Sequence, residues 1–488
     1  MPANRQRPAA TEPGNGEGPM SGGNWAERVK RSMGLDGAIA YTVGARLSQI
    51  AGSTGTVLLI IRYMSAVEQG YYYTLLSLVA LQTIFELGFS FVIQQLAAHE
   101  TVHLKLDGDG TVGGDAAAHA RLASVLQLTL RWYRRAAVLL AVLLLPLGFF
   151  FFSRDAGAVA RVGWQGPWVT AALAVSGTFL LTPFYSFLEG CNQVRQVARL
   201  RLFQALVVVL VSWAAIRCHH GLYACALVNL GTSATGAIFL FGNRRLLLGL
   251  LRHPAGEHAV SWKREVWPFQ WRIAVSWFCS YFTMQVFTPI LFASRGPLEA
   301  GRMGLSLSIV GYLPILALCW ITTKATPFGQ LIRMGRLAEL DGLFARTMRQ
   351  ALGLLLALVV VCFALVLAVQ AALPRIAVRM ESPGVIALLL LTSISSFLVA
   401  SLGVYLRSFK REPFLVQSVV VAGCTIVGAL AGAPRFGDRA VALVYFAFSG
   451  VVGLAWAVGI FSAQRHARRP QAGVAGVGVL LVEGAQGE

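Results

Sequence analysis

The sequence predicts an all-α polytopic membrane protein with about twelve transmembrane helices, arranged as two six-helix parallel repeats around a central cavity. Three observations carry this: an apolar composition, a series of spanning-length apolar segments, and a basic-residue bias between alternate loops. Hydrophobic residues make up 56% of the 488 positions and charged residues only 13%, against about 25% charged in soluble domains. Mean hydropathy is +0.64. The 50 glycines suit helices whose backbones approach closely in lipid.

A helix needs about 20 apolar residues to cross a bilayer. Segments 37–61, 71–97, 133–152, 167–189, 197–217, 220–241, 266–293, 301–322, 347–372, 384–406, 413–432 and 438–463 meet that requirement. Period-two alternation of the β-barrel kind is absent, so a helical bundle is expected. With the N-terminus placed in the cytoplasm, 29 of the 41 Lys and Arg fall in inward segments and 10 in outward loops. That is the positive-inside pattern. It predicts a multi-pass protein of the bacterial inner membrane with both termini cytoplasmic. The net charge of +19 is then topological, and no nucleic-acid partner is expected. Residues 1–24 are polar and Pro/Gly-rich, so no cleavable signal peptide is expected.

The expected organisation is a flexible cytoplasmic N-tail at 1–34, an N-lobe at 35–241 and a cytoplasmic linker at 242–265. A C-lobe at 266–464 and a flexible cytoplasmic C-tail at 465–488 follow. The two lobes carry a faint repeat. Glu68-Gln69-Gly70 followed by Leu76-Ser77-Leu78 recurs as Glu299-Ala300-Gly301 followed by Leu307-Ser308-Ile309. Leu122, Leu126, Thr129 and Arg131 match Leu340, Phe344, Thr347 and Arg349 at one offset of 218. Duplicated membrane units are the sequence trace of a transporter. The segments at 122–131 and 340–349 have an apolar face at helical spacing, which predicts short surface-lying helices leading into spans three and nine. The Glu-Gln-Gly and Glu-Ala-Gly motifs are expected to mark equivalent outer turns without doing chemistry.

The chain has no GxxxxGK[ST] run for ATP, and its seven cysteines and its His219-His220 pair have no metal-ligand spacing. No cofactor, no metal and no enzymatic activity are expected. Ionisable groups at membrane depth are costly, so each is a candidate. Arg46 lies about nine residues, or roughly 14 Å, into span one, and Arg272 stands near the start of span seven. Each can bind an anionic group such as a phosphate, since a guanidinium donates paired hydrogen bonds and stays charged. Each can also snorkel, and Arg46 can pair with Glu86. Glu86, within span two, has three readings: proton carrier, cation ligand for coupling, or charge partner of Arg46. Gln49, Gln82, Gln94, Gln285 and Asn229 are candidates to line a cavity and hydrogen-bond sugar hydroxyls, or to bond between helices.

The stretches Glu68-Gln69-Gly70-Tyr71-Tyr72-Tyr73-Thr74, Phe85-Glu86-Leu87-Gly88 and Gln95-Leu96-Ala97-Ala98-His99-Glu100 resemble bacterial polysaccharide-biosynthesis membrane proteins. These are the O-antigen-type, lipid-linked oligosaccharide flippases of the multidrug/oligosaccharidyl-lipid/polysaccharide superfamily. Trp320-Ile321-Thr322-Thr323-Lys324-Ala325-Thr326-Pro327-Phe328-Gly329-Gln330 is similar to that family too. The resemblance implies two lobes that open alternately to either side of the membrane. The implied substrate is an undecaprenyl-pyrophosphate-linked oligosaccharide, moved from the inner to the outer leaflet. It further implies that Arg46 and Arg272 hold the pyrophosphate and that Lys324 stands at the cytoplasmic gate. Membrane lipids, and glycosyltransferases or a polymerase of the same pathway, are the partners it suggests.

Three rivals remain open. An ion-coupled multidrug antiporter of the same superfamily is one, although cationic drugs want buried carboxylates and Glu86 is the clear mid-span acid. A major-facilitator transporter is disfavoured by the long Gly/Asp-containing connection after span two. A membrane polysaccharide polymerase would want a large outer loop, and the outer loops here are all short.

Overall fold

A computed structural model describes residues 37–86, 88–101, 104–106, 112–153, 162–253, 260–262, scattered positions from 267 to 286, 287–409 and 414–465. Both terminal tails, apart from Arg465, and residues 254–259 and 263–265 of the linker therefore lie outside the described residues. The chain is an α-helical multi-pass membrane protein. The membrane end holding the turn at 64–65 is called distal here, and the opposite end proximal.

The first bundle begins with α1 (Gly37–Tyr63). Span two follows in three pieces: α2 (Ala66–Val79), α3 (Gln82–Glu86) and α4 (Phe89–Thr101). Gly88 between the last two has φ of +65°, a value open to glycine because it lacks a Cβ. A two-stranded antiparallel hairpin, β1 (Leu104–Leu106) with β2 (Val112–Gly114), pairs Leu104 with Gly114 and Leu106 with Val112. It is a small departure from the purely helical expectation. Next come α5 (Ala116–Phe152), α6 (Gln165–Gly190), α7 (Val194–Arg217), α8 (Ala224–Gly242) and the short basic α9 (Arg244–Arg252).

The second bundle contains α10 (Phe287–Arg295), α11 (Pro297–Thr322), α12 (Ala325–Arg333), α13 (Leu337–Ala372), α14 (Pro374–Ala377) and α15 (Pro383–Arg407). The last hydrophobic stretch is one helical run, α16 (Leu415–Tyr445), continued by a π-helical segment (Phe446–Val452). Gly437, with φ of +62° and ψ of −139°, breaks α16. That break separates the two spans expected at 413–432 and 438–463. Among the described residues eight helical stretches are long and apolar enough to cross a membrane. The broken final run counts as one of the eight, and α1, the fragmented span two and the partly described span seven are not among them.

The surface helices expected before spans three and nine are not separate elements. α5 is a continuous helix of 37 residues and α13 one of 36. At 1.5 Å per residue each is about 55 Å long, well beyond a hydrocarbon core of about 30 Å. Their apolar faces carry on unbroken because no Gly or Pro interrupts the junction with the span. The repeat itself is visible in packing: Leu122, Leu126 and Thr129 are buried, as are Leu340, Phe344 and Thr347. Arg131 Nε donates to the Gln127 carbonyl at 3.3 Å, and Arg349 Nε donates to the Ala345 carbonyl at 3.3 Å. Both pairs span one helical turn on an exposed face.

Proximal ends are tied by charge. Arg121 Nε donates to Glu100 Oε1 at 2.8 Å, and Arg201 Nη1 lies 2.9 Å from Glu189 Oε1. In the second bundle Asp341 accepts from Tyr405 at 2.6 Å and from Arg465 at 2.7 Å. At the distal end Ser65 caps α2: its hydroxyl accepts from Glu68 N at 3.1 Å, and the Glu68 carboxylate accepts from Ser65 N at 2.7 Å. Such a reciprocal box satisfies two amide donors that the helix leaves free. Ser65→Ala is expected to cost about 1 kcal/mol, read as a lowered thermal denaturation midpoint in detergent.

Candidate translocation site

The two bundles meet at their distal ends, and the contact is made by the repeated motifs themselves. α2 packs along the first turns of α11. A Cβ on Gly70 would stand 1.9 Å from the Pro297 carbonyl oxygen, and one on Gly301 would stand 2.9 Å from Gly70 N. The backbones touch only because both positions are glycine. Between them Gln69, 1% exposed, donates from Nε2 to the Gly301 carbonyl at 2.9 Å and to the Arg379 carbonyl at 3.2 Å. Arg379 answers from the second bundle, donating from Nη1 to the Met64 carbonyl at 2.5 Å and to the Ile60 carbonyl at 3.4 Å. Tyr71 meets Phe292 edge-on at 5.0 Å and stacks on Phe152 at 5.4 Å. Among the described elements, no packing of similar extent joins the proximal ends of the bundles. In this structure the two bundles are closed against each other at the distal end, a contact labelled the gate below.

The motifs therefore do more than mark turns. Glu68-Gln69-Gly70 lies in the first turns of α2 and Glu299-Ala300-Gly301 in the first turns of α11, where the bundles dock. The expectation placed them at equivalent turns, and the docking contact adds a packing role that it did not include.

Beneath the gate lies a cavity of about 490 Å³, walled by α1, α2, α7 and α8, with Ser308 and Tyr312 contributed by α11. Of the residues expected to line it, Gln49, Gln82 and Asn229 do so. The remaining polar wall is made of Ser53, Thr56, Ser212, Ser308, Tyr72, Tyr73 and Tyr312. Among the described lining residues there is no Asp, Glu, Lys or Arg. Several hydroxyls are spent on their own helices: Thr56 Oγ1 donates to the Gly52 carbonyl at 2.8 Å and Ser308 Oγ to the Gly304 carbonyl at 2.8 Å. Asn229 donates to the Cys225 carbonyl at 2.9 Å, which leaves its amide oxygen as an acceptor.

Other sequence candidates fall elsewhere. Arg46 is exposed on α1, one turn proximal to the cavity, and donates from Nη1 to Gln49 Oε1 at 3.3 Å. It therefore touches the cavity wall through Gln49 without forming part of it. Glu86 accepts from Ser90 Oγ at 2.5 Å and forms no ion pair with Arg46. Ser90 continues to the Tyr133 hydroxyl at 3.4 Å. Gln94 and Gln285 are half-buried and outside the lining, and Lys324 is exposed just past the end of α11. Arg272 lies outside the described residues. The paired-arginine arrangement therefore lies outside the described residues.

Sequence reasoning missed the tyrosines and the gate residues Gln69 and Arg379. The Tyr71-Tyr72-Tyr73 run was the available signal, since three adjacent aromatics on a helix must face three directions. Here Tyr71 packs into the gate while Tyr72 and Tyr73 face the cavity. Nothing local marked Arg379, whose partners lie more than 300 positions away.

The fold is similar to that of solved membrane transporters. The lipid II flippase MurJ in an inward closed conformation aligns with a TM-score of 0.50 and 12% identity, over 87% of this chain and 87% of that one. An outward-facing multidrug resistance MATE family transporter of the MOP superfamily aligns with a TM-score of 0.51 and 14% identity, over 88% of this chain and 97% of that one. At such identities the likeness is one of fold. No protein-family model and no curated protein matches the sequence.

Proposed function

We propose that this chain is an alternating-access transporter that turns an undecaprenyl-pyrophosphate-linked oligosaccharide from the inner to the outer leaflet of the bacterial inner membrane. The observation that carries the reading is the cavity wall beneath a shut gate: neutral hydrogen-bonding side chains and tyrosine rings, with no carboxylate among the described lining residues. Sugar hydroxyls are met by amides and hydroxyls of this kind, and tyrosine rings offer apolar faces to pyranose rings. Arg46, bonded to Gln49 at the proximal edge, supplies the charge a pyrophosphate needs. The polyprenyl tail stays in lipid. The basic bias of the proximal loops supports the proximal side as cytoplasmic, and a gate shut at the distal side supports loading from the cytoplasm. The 35–241 and 266–464 lobes would rock about this contact.

Neighbours of this fold include both a flippase and drug transporters, and one observation favours a second reading. A cavity of about 490 Å³ lies in the range of about 300–1,000 Å³ that holds drug-sized molecules. A neutral-drug antiporter would use the same wall, with Glu86 and Ser90 as the coupling pair.

Proteoliposomes separate the readings. Purified protein should flip a short-chain polyprenyl-pyrophosphoryl sugar, and Arg46→Ala should slow this about tenfold or more, the loss of a charged hydrogen bond of about 1.5–3 kcal/mol. Arg46→Lys should recover part of the rate. Drug export without sugar-lipid movement would sink the flippase reading in favour of the antiporter.

A further inference from the structure

A second charged site lies behind the gate, apart from the cavity. Glu381, in the connection between α14 and α15, is 1% exposed. Its backbone is fixed on both sides: its N–H donates to Ser306 Oγ at 3.2 Å, and its carbonyl accepts from Gln370 Nε2 at 2.9 Å. Neither carboxyl oxygen accepts a hydrogen bond from any donor among the described residues, and Glu299 Oε2 is likewise buried without a partner.

The groups around Glu381 are few. Asp438, just past the Gly437 break, faces it within hydrogen-bonding reach. Glu299 and Arg302 act on it from α11. Asp438 is anchored by the Arg439 amide at 2.7 Å. A Cβ on Gly437 would stand 2.6 Å from Glu299 Oε2, so these chains are in direct contact. Arg302 turns its Nε to the Val378 carbonyl at 2.9 Å, and Arg379 on the same connection is committed to the gate. Arg295 is likewise spent on the carbonyls of Ala433 and Arg435. Three acids thus meet, and among the described residues Arg302 is the one cation acting on Glu381. Two facing carboxyls cannot both ionise away from water, and one proton between them removes the conflict. Burial first, and then the Asp438 carboxyl, push the Glu381 acid up to about 10.

We propose that Glu381 and Asp438, with Glu299 beside them, form a proton-binding site that latches the distal gate. This deepens the transport reading above and rests on it for the meaning of gate opening. The mechanical link is short. Glu381 lies two residues from Arg379, and Glu299 two residues from Gly301, so both gate strands carry an acid of the site. With the proton bound, the cluster packs neutral and the gate stays shut. Release leaves two facing carboxylates, with no donor to Glu381 among the described residues, and hydration of the site requires the connection and the start of α11 to part. Two facing carboxyls away from water fit one shared proton.

The sign follows from linkage. The shut state holds a proton that a hydrated carboxyl gives up near pH 4.5. Between that pH and about 10 the shut state binds more protons than the open one, so rising pH favours opening, by up to about tenfold per pH unit for one proton.

The test needs no transport substrate. Spin labels at Arg62→Cys and Leu373→Cys, both exposed near the distal end, report gate distance in lipid nanodiscs after Cys218→Ser. From pH 6 to pH 9 the long-distance population should rise at least tenfold. Glu381→Gln should hold the short distance throughout, and Asp438→Asn should flatten the response. A pH-independent distance in the unmodified site, or Glu381→Gln following the parent curve, would overturn the proposal. A sodium-dependent shift at fixed pH would overturn the proton assignment. If the gate responds as expected but no sugar-lipid moves in proteoliposomes, the latch stands and the substrate reading falls.

Discussion

Replacing Gly70 with valine is expected to prop the distal gate open and abolish transport while the protein still inserts. A Cβ at this position would lie 1.9 Å from the Pro297 oxygen, 2.6 Å from its carbonyl carbon and 2.8 Å from its Cα. All three are backbone atoms, so no side chain can swing aside, and the helices must separate. Overpacking costs about 1–3 kcal/mol where a core can partly yield. Here the shut state bears that cost and an open state does not. Each 1.4 kcal/mol is about tenfold in population, and valine adds two further methyl groups to the clash. Gly301→Val attacks the same contact from the other side, and its effect should not add to that of Gly70→Val because both break one interface. Gly177→Ala is the control, because a Cβ there meets nothing within 4 Å. Reactivity of a distal cysteine, measured with flipping in the same preparation, checks the expectation. Unaltered transport by Gly70→Val at normal membrane levels would contradict it.

Arg379→Ala is expected to weaken the shut gate nearly as much. Its guanidinium donates across the interface to two carbonyls at the distal end of α1, those of Met64 and Ile60. Burial pushes the Arg379 guanidinium below its ordinary value, and the nearby Glu68 carboxylate offsets part of that. A hydrogen bond from a charged group contributes about 1.5–3 kcal/mol, and the two share one donor atom, so roughly 3 kcal/mol is expected for the residue. The shut population should fall about a hundredfold. Arg379→Lys keeps the charge and one donor direction and should recover part of the loss. The inter-label distance at the distal end is the readout. Gln69→Leu should give the same direction, since it strands the Gly301 and Arg379 carbonyls. A wild-type distance distribution in Arg379→Ala would show that other contacts close the gate.

The spans were legible because membrane burial leaves a local mark. Predicted and observed ends agree within a few residues for 37–61, 167–189 and 384–406, where the apolar run stops at polar or basic residues. Span two, expected at 71–97, was not legible as three pieces. Its second break follows from a positive φ at Gly88, and a glycine in an apolar run signals helix packing as readily as a break. The long α5 and α13 were divided too early for a related reason: a basic residue at the span boundary, Arg131 or Arg349, marks where lipid ends and not where the helix does.

The candidate site divided the same way. Gln49, Gln82 and Asn229 were accessible as candidates because a polar amide in an apolar helix is conspicuous wherever it points. Their convergence on one cavity, with Tyr72, Tyr73 and Tyr312, depends on helix rotation, which apolar sequence on every face does not encode.

By itself the sequence determined that this chain crosses the membrane many times, that its two halves are related, and which end of each helix carries the basic charge. Those properties rest on composition and spacing within single segments. Only the tertiary structure decided that Gly70 and Gly301 touch, that Gln69 and Arg379 bolt the distal end, and that Glu381 is sealed against Asp438. Each of those contacts joins residues far apart in the chain, and its energy exists only once the helices have docked.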